Sequence, residues 1–197
     1  LGQLDDAAAI FRDQLKTSPD NAEACIALGI ILRQQKNNAE ARQVLERARQ
    51  LAPANPLPLI QLVDLDLGER DFEGAHRLVQ DQLKATPNVA LAHFLEGKIW
   101  ATEGKWDPAE ASLTKALSLN PNFGDAYTLL ASVYTASNKT ADAVRQLEID
   151  QQADRGGQHE LARGWSAVEV AQAGTRFRGN EGAGGVVPTA EALLVVA

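Results

Sequence analysis

The side chains best suited to catalysis or metal binding in this chain are three histidines, one cysteine and scattered carboxylates. His93 lies three residues before Glu96, so a helix would place both on one face, and Asp66 could complete a metal or acid–base cluster. A half-buried histidine beside a helical carboxylate explains the same spacing without any chemistry. His76 fits a solvated helix face, and His159 lies in irregular sequence. We therefore expect no metal and no cofactor.

Cys25 is the only cysteine, so neither an intramolecular disulfide nor a thiolate metal cage can form. It falls at a packing position, where a free cysteine behaves as a small hydrophobic residue and not as a nucleophile. No glycine-rich phosphate loop follows a strand, and no Ser–His–Asp arrangement can be proposed from spacing. The sequence therefore predicts no catalytic residue and no enzyme activity.

Composition narrows the class of partner. The chain has 19 Lys+Arg against 26 Asp+Glu, a net charge of -7, which repels phosphate backbones and argues against nucleic-acid binding. No apolar run reaches the roughly 18 residues that span a bilayer, and no signal peptide is visible. The lack of methionine and the start at Leu1 indicate a fragment or a processed piece. The compartment therefore stays open between cytoplasm and periplasm.

Two residue types recur with the same period of 34 residues along the chain. One series is proline and the other is alanine, and both keep the same phase: Pro19, Pro53, Pro87 and Pro121; Ala7, Ala41, Ala75, Ala109 and Ala143. A fixed period of this length is typical of helical repeat proteins. Cutting at this period predicts an array over 1–150, with a half repeat at 1–21 and repeats at 22–55, 56–89, 90–123 and 124–157, the last with a degenerate end.

Each repeat has the pattern of two helices, and we number its 34 positions as slots. Slots seven, eight, ten and eleven share one face of the first helix, and the alanine at slot twenty faces it from the second. Short polar turns such as 35–37 require the two helices to pack antiparallel. Glu96 and Asp66 replace large apolar residues of this face, and we expect Leu95 and Leu67 to compensate.

The repeat at 22–55, AEACIALGIILRQQKNNAEARQVLERARQLAPAN, resembles the tetratricopeptide repeat. The repeat at 90–123, ALAHFLEGKIWATEGKWDPAEASLTKALSLNPNF, is a second good copy. The resemblance implies an all-α, right-handed solenoid of antiparallel helix–turn–helix hairpins that binds proteins. It covers about 1–150 and says little about which partner is bound.

The resemblance also implies that first helices line a concave groove, which identifies the candidate partner-binding residues. They are Glu23, Ile26, Ile30, Arg33, Leu57, Ile60, Asp64, Leu91, Phe94, Lys98, Thr128 and Ser132. The early repeats are apolar here, which predicts a partner helix or extended segment with aliphatic side chains. Alternatively, these residues pack against neighbouring repeats. A carboxylate-gripping mode is not expected, because isoleucines occupy slots five and nine of the first full repeat.

The periodic pattern stops after residue 150. Arg155 and Phe177 stand where the next proline and alanine would fall, and 151–197 is rich in glycine. Three explanations are open for this segment: a flexible tail or linker, a helix that caps the last repeat, or a segment read out of frame.

The leading functional hypothesis is a non-catalytic protein–protein interaction scaffold from a bacterial-type repeat protein. One alternative is the recognition arm of a larger enzyme, of the glycosyltransferase or sulfotransferase type. Another is an assembly factor of the cell envelope or of export. The identity of the partner and the oligomeric state are not predicted.

Overall fold

The computed structural model describes residues 2–137, which form helices joined by short turns and contain no strand. The helices of this range are α1 (Gly2–Thr17), α2 (Ala22–Gln34), α3 (Asn38–Leu51), α4 (Leu57–Glu69), α5 (Phe72–Ala85), α6 (Ala90–Thr102), α7 (Trp106–Leu119) and α8 (Gly124–Ala136). The predicted all-α helical-repeat solenoid is therefore confirmed. The segment 151–197 and the end of the last repeat lie outside the described residues, so the three explanations for that segment stay predictions.

The helices recur with the period of the sequence. Each second helix begins 34 residues after the last, at Asn38, Phe72 and Trp106. α4 begins one slot later than the other first helices, because Pro56 occupies its N-cap and Pro58 its first turn. Proline is tolerated there, since the first N–H groups of a helix have no partner within the helix.

The prolines of the period end the second helices of the repeats. Each stands two residues beyond a helix end, as Pro19 does after Thr17. The Asn21 N–H donates to the Ser18 carbonyl at 3.2 Å, and the equivalent bond in the next linker measures 3.0 Å. These bonds close turns with proline at the second position, where its fixed φ fits.

The turns inside the hairpins contain a left-handed residue at slot fifteen. Its φ is 61° at Lys36, 59° at Arg70 and 76° at Gly104. In each turn the next N–H donates to the carbonyl five residues earlier, as Asn37 does to Leu32 at 2.9 Å. This is the Schellman arrangement, which satisfies a carbonyl that would otherwise be left at the helix end. Two of the three positions carry a side chain where glycine is least strained.

The described helices divide into two compact units, with the boundary between Gln82 and Leu83. In the first, α2 packs against α3, α1 packs against α2, and α3 packs against α4. Gly29 allows the close approach of α2 and α3, because a Cβ built on it would lie 2.5 Å from Leu45 Cγ. The small residue at slot eight thus fits beneath the large residue at slot twenty-four.

In the second unit, α7 packs against both α6 and α8. Gly97 repeats the close approach, with a built Cβ 2.7 Å from Leu113 Cγ. Leu95 is buried at 1 % exposure, and Glu96 beside it accepts a hydrogen bond from Ser112 at 3.1 Å. Leu95 therefore supplies the apolar contact that the carboxylate at slot seven does not. Leu67 is likewise buried, at 6 % exposure, in the first unit.

Candidate protein-binding surfaces

The first-helix face of the first unit consists of outward positions on α2 and α4, two helices that contact each other. Ile30 and Ile60 are half-buried on it, and Leu57 is 44 % exposed at the start of α4. Glu23 is exposed in the first turn of α2. These four side chains present aliphatic surface with one carboxylate beside it.

Ile26 was expected on the partner-binding face but is buried in the core. It is only 6 % exposed and packs in a cluster with Cys25 and Ala48, against partly buried Leu15 and Val44. Slot five of α2 is therefore covered by the hairpin and by α1, and it offers almost no surface to a partner.

Arg33 and Asp64 form an ion pair on the same face. Their Nη1 and Oδ2 atoms are 3.4 Å apart, and the side chains are 33 % and 16 % exposed. The pair joins slot twelve of α2 to slot nine of α4, so two residues expected to contact a partner contact each other. A charge on an incoming segment must compete with this pair or extend it.

The first-helix face of the second unit contains Leu91, Phe94 and Lys98 on α6, and all three are half-buried. The Phe94 ring lies 4.8 Å from the Phe123 ring, centroid to centroid, at an interplanar angle of 41°. Phe94 also packs against the core of the unit. Phe94 therefore packs against the linker before α8 and is only partly available to a partner. Phe123 was not predicted as part of this surface.

The α8 part of this face carries hydroxyl groups that bond to their own helix. Thr128 donates to the Gly124 carbonyl at 3.1 Å, and Ser132 donates to the Thr128 carbonyl at 3.0 Å. Both side chains are half-buried. Their hydroxyl protons are directed at the backbone, so a partner would meet the hydroxyl oxygen atoms and the Thr128 methyl group.

His93 is a half-buried histidine beside the helical carboxylate of Glu96, as one of its two interpretations predicted. Its Nε2 atom is 3.0 Å from the Pro87 carbonyl, and its Nδ1 atom is 3.8 Å from Glu96 Oε2. The histidine thus ties α6 to the linker that precedes it. Within residues 2–137, no three His, Cys, Asp or Glu side chains come together to hold a metal ion.

Cys25 is fully buried, and its burial raises the pKa of the thiol. A raised pKa keeps the thiol protonated, so it is a poor nucleophile. The structure thus places Cys25 in the core, in agreement with its packing slot.

Asp66 is the charged residue whose position the sequence did not explain. It is fully buried at slot eleven of α4, and its Oδ1 atom lies 2.5 Å from Arg42 Nη2 on α3. Arg42 also contacts Glu69 at 3.0 Å. Arg42 and Asp66 form an ion pair, and neither carboxylate oxygen of Asp66 accepts a hydrogen bond of standard geometry.

Burial raises the pKa of Asp66 above its ordinary value, and the negative charges of Asp71 and Glu69 raise it further, while Arg42 partly opposes them. Burial lowers the pKa of Arg42, but its contacts with Asp66 and Glu69 outweigh that effect and the pKa is raised. Asp66 is thus a carboxylate that its surroundings only partly compensate.

A pocket of about 200 Å³ opens beside Asp66, and all of its walls belong to the first unit. It is lined by Arg42 on α3, by Asp66 on α4, and by Asp71, Gly74, Arg77, Leu78 and Asp81 at or on α5. The sequence indicated Asp66 as a departure from an aromatic slot and as a possible third member of a cluster with His93 and Glu96. It named no other residue of this pocket as a site.

A regular spacing could have revealed the partner of Asp66. The residue at slot eleven of a first helix packs against the residue at slot twenty-one of the preceding second helix, which lies 24 residues earlier in the sequence. The structure shows this for Arg42 with Asp66 and for Glu110, which accepts a hydrogen bond from the Tyr134 hydroxyl at 3.2 Å. Opposite charges 24 residues apart in a chain of period 34 were the available signal.

With these surfaces described, comparison with known proteins identifies the family. A tetratricopeptide repeat model matches residues 1–49, 32–99 and 101–163, which is more than half of the chain. The chain belongs to the tetratricopeptide repeat family. The last match reaches residue 163, beyond the limit near 150 that the proline and alanine series suggest.

Solved structures of other tetratricopeptide repeat proteins have the same fold. A thermophilic TPR protein of Thermus thermophilus superposes with a TM-score of 0.60 at 24% identity, covering 88% of this chain and 91% of that one. MamA superposes at 0.56 with 18% identity over 95% of this chain and 90% of its own. YrrB, whose structure is described as having an unusual peptide-binding site, superposes at 0.51 with 23% identity, covering 82% of each chain.

Curated relatives are longer than this chain. Cell division cycle protein 27 homolog A of Arabidopsis thaliana is 28% identical over 103 residues, which is 52% of this chain and 14% of that protein. Anaphase-promoting complex subunit 7 of Dictyostelium discoideum is 26% identical over 127 residues, 64% of this chain and 22% of that protein. The repeat family implies a scaffold for protein–protein interaction. No helix within residues 2–137 has the length and apolar character to cross a membrane.

Proposed function

We propose that this chain is a non-catalytic scaffold that binds a partner helix or an extended peptide on its first-helix faces. The first unit offers the better surface, formed by Ile30, Ile60 and Leu57 with the Arg33–Asp64 pair beside them. The partner is a segment with aliphatic side chains at helical or alternate spacing.

The observation that carries this proposal is the aliphatic surface on α2 and α4. Leu57 is one of the few large apolar side chains with an exposed fraction above a third in the described residues. Half-buried Ile30 and Ile60 extend this surface across the two helices. Apolar contact area of this kind stabilises a complex by about 25 cal/mol per Å² removed from water, before the costs of association are subtracted.

The partner's polar pattern follows from the charges on this face. Arg33 and Asp64 already neutralise each other at 3.4 Å, and Glu23 is exposed near the other end of α2. The fitting segment is therefore apolar at its centre and basic at the end that approaches Glu23. We expect strongly acidic segments to bind this face weakly, because Glu23 would repel them.

A peptide selection tests the proposal with a defined probe. Twelve-residue phage-displayed peptides are selected on the full chain, and the best peptide is titrated by fluorescence anisotropy. We expect peptides rich in Leu, Ile and Val, and Ile30→Asp or Ile60→Asp should weaken them at least tenfold, which corresponds to about 1.4 kcal/mol.

Ile10 supplies the matched control. It is an isoleucine on α1 at 65% exposure and does not belong to the first-helix face. Ile10→Asp introduces the same charge and should leave the affinity unchanged. Equal affinity for the parent and for Ile30→Asp would show that the peptide binds elsewhere. Phe94→Asp is a weaker test, because Phe94 also packs against Phe123.

The other two hypotheses, the recognition arm of a larger enzyme and an assembly factor of the cell envelope or of export, stay predictions. One of the longer relatives is named as a subunit of a complex. That name agrees with the general proposal that such repeats bind other proteins, and it favours neither alternative.

A further inference from the structure

The pocket at Asp66 lies where a small carboxylate occupies a slot that holds a ring in α6 and α8. In the second unit the same slot of α8 holds Tyr134, which is only 4% exposed and fills its site. In the first unit Asp66 leaves a space of about 200 Å³ between α3 and α5. A space of this size accommodates one long side chain.

The floor of the pocket is an incompletely partnered carboxylate. Asp66 is fully buried, its Oδ1 atom contacts Arg42, and its Oδ2 atom accepts no hydrogen bond. A methyl group built on Gly74 would lie 3.1 Å from Asp66 Oδ2 and would overlap Asp71 Oδ2. The Oδ2 atoms of Asp66 and Asp71 therefore lie close to each other beside the Gly74 Cα atom.

The charges that line the pocket favour a cation. Asp66, Asp71 and Asp81 stand against Arg42 and Arg77, which leaves one excess negative charge. Arg42 is already engaged by Asp66 and Glu69. A buried carboxylate without full compensation is costly, and a hydrogen-bonding cation beside Oδ2 would relieve that cost.

We propose that this pocket binds the guanidinium group of an arginine side chain from a protein partner. The planar guanidinium presents parallel N–H donors that can reach Asp66 Oδ2 and Asp71 Oδ2 together. Its aliphatic stem would lie against Leu78, the apolar residue of the lining. This site shares no residue with the first-helix face, so it stands independently of the function proposed above.

The probe is N-acetyl-arginine amide, titrated into the isotope-labelled full chain at constant ionic strength. The reporter is the Gly74 amide, whose N–H donates to Asp71 Oδ1 at 2.9 Å at the pocket wall. We expect saturable shifts of this amide with a dissociation constant of about 1–10 mM, the range of one isolated side chain. N-acetyl-citrulline amide has nearly the same shape without the charge and should cause no such shift.

Two variants locate the binding, and a third is the matched control. Asp66→Asn keeps the size of the side chain and removes its charge, and it should weaken binding at least tenfold. Gly74→Ala keeps every charge but places a methyl group between the two oxygens, and it should have the same effect. Asp64→Asn makes the same chemical change two residues away on the first-helix face and should leave the affinity as it is.

Several results would contradict binding of a guanidinium group in this pocket. Equal shifts with citrulline, equal affinity in Asp66→Asn, or no saturable shift of Gly74 would each overturn the proposal. Equal binding of N-acetyl-lysine amide would overturn the guanidinium assignment, because an ammonium does not present a planar fork. Shifts of Gly74 by inorganic phosphate would overturn it as well, since they would identify Arg42 and Arg77 as the binding groups.

Discussion

The contact between slot twenty-one and the following slot eleven differs between the two units. In the first unit it is the Arg42–Asp66 ion pair, beside a pocket. In the second unit it is Tyr134, which fills the space with its ring and donates a hydrogen bond to Glu110. Nearer the start of the chain, also in the first unit, the same slots hold Ala8 and Leu32, which belong to one apolar cluster.

This difference shows that the repeat accepts several chemistries at this pair of slots. Each pair is matched within itself: alanine with leucine, arginine with aspartate, glutamate with tyrosine. Changing one member should therefore cost more than changing both together, which is what double-mutant analysis measures.

Placing the aspartate of the first unit into the second breaks this matching most severely. Tyr134→Asp removes a buried ring and faces a carboxylate towards Glu110. We expect a loss of about 3–5 kcal/mol in the free energy of unfolding, measured by urea titration followed by circular dichroism. Adding Glu110→Arg restores an opposite charge and should recover about 1–2 kcal/mol. No recovery in the double variant would show that the two slots do not act as a pair.

Removing the arginine from the first unit tests the same pairing from the other side. Arg42→Ala leaves Asp66 buried without its ion-pair partner, and we expect a loss of about 2–4 kcal/mol by urea titration. Arg77→Ala is the control, because Arg77 lines the same pocket on the exposed surface of α5 and should change stability by about 0.5 kcal/mol or less. Arg42→Ala combined with Asp66→Leu should lie closer to the parent than Arg42→Ala alone does.

The pH dependence of stability distinguishes the ionic pair from the aromatic one. The pKa of Asp66 is raised in the folded chain above its ordinary value of 3.8, so the folded state binds the proton more tightly than the unfolded state. Protonated Asp66 therefore adds to the free energy of unfolding at pH values below the pKa of the unfolded state. This contribution is lost as the pH rises through the pKa of the folded state.

Asp66→Asn imitates the protonated side chain and removes this loss. Its free energy of unfolding relative to the parent should rise as the pH is raised above the ordinary pKa of 3.8. Urea titrations at several pH values would measure this difference, with Asp64→Asn as the control. A difference that stays constant or falls with pH contradicts the assignment.

The smallest expected effect concerns the left-handed turn residue that both units share. Lys36→Gly and Arg70→Gly relieve a left-handed side chain at φ 61° and 59° and should each stabilise by up to about 1 kcal/mol. Gly104→Ala in the second unit, at φ 76°, should destabilise by about 1 kcal/mol. Thermal unfolding detects both, and the same sign for all three would disprove the common turn geometry.

Much of the fold could be read from the periodic residues. The prolines and alanines predict where second helices end and where they pack, and the structure begins those helices at the same spacing of 34 residues. The candidate site was less predictable. Ile26 was expected at the surface and is buried by α1 and α3, since a slot does not reveal which neighbouring helix covers it.

The sequence by itself determined the repeat, its family and the absence of a disulfide within these 197 residues, because the period and the residue types are local properties of the chain. Only the tertiary structure decided that Asp66 meets Arg42, that Phe94 meets Phe123, and that a pocket remains where a ring is missing. The physical reason is that these contacts join side chains that are 24 and 29 residues apart in the sequence, and their burial follows from the packing of whole helices.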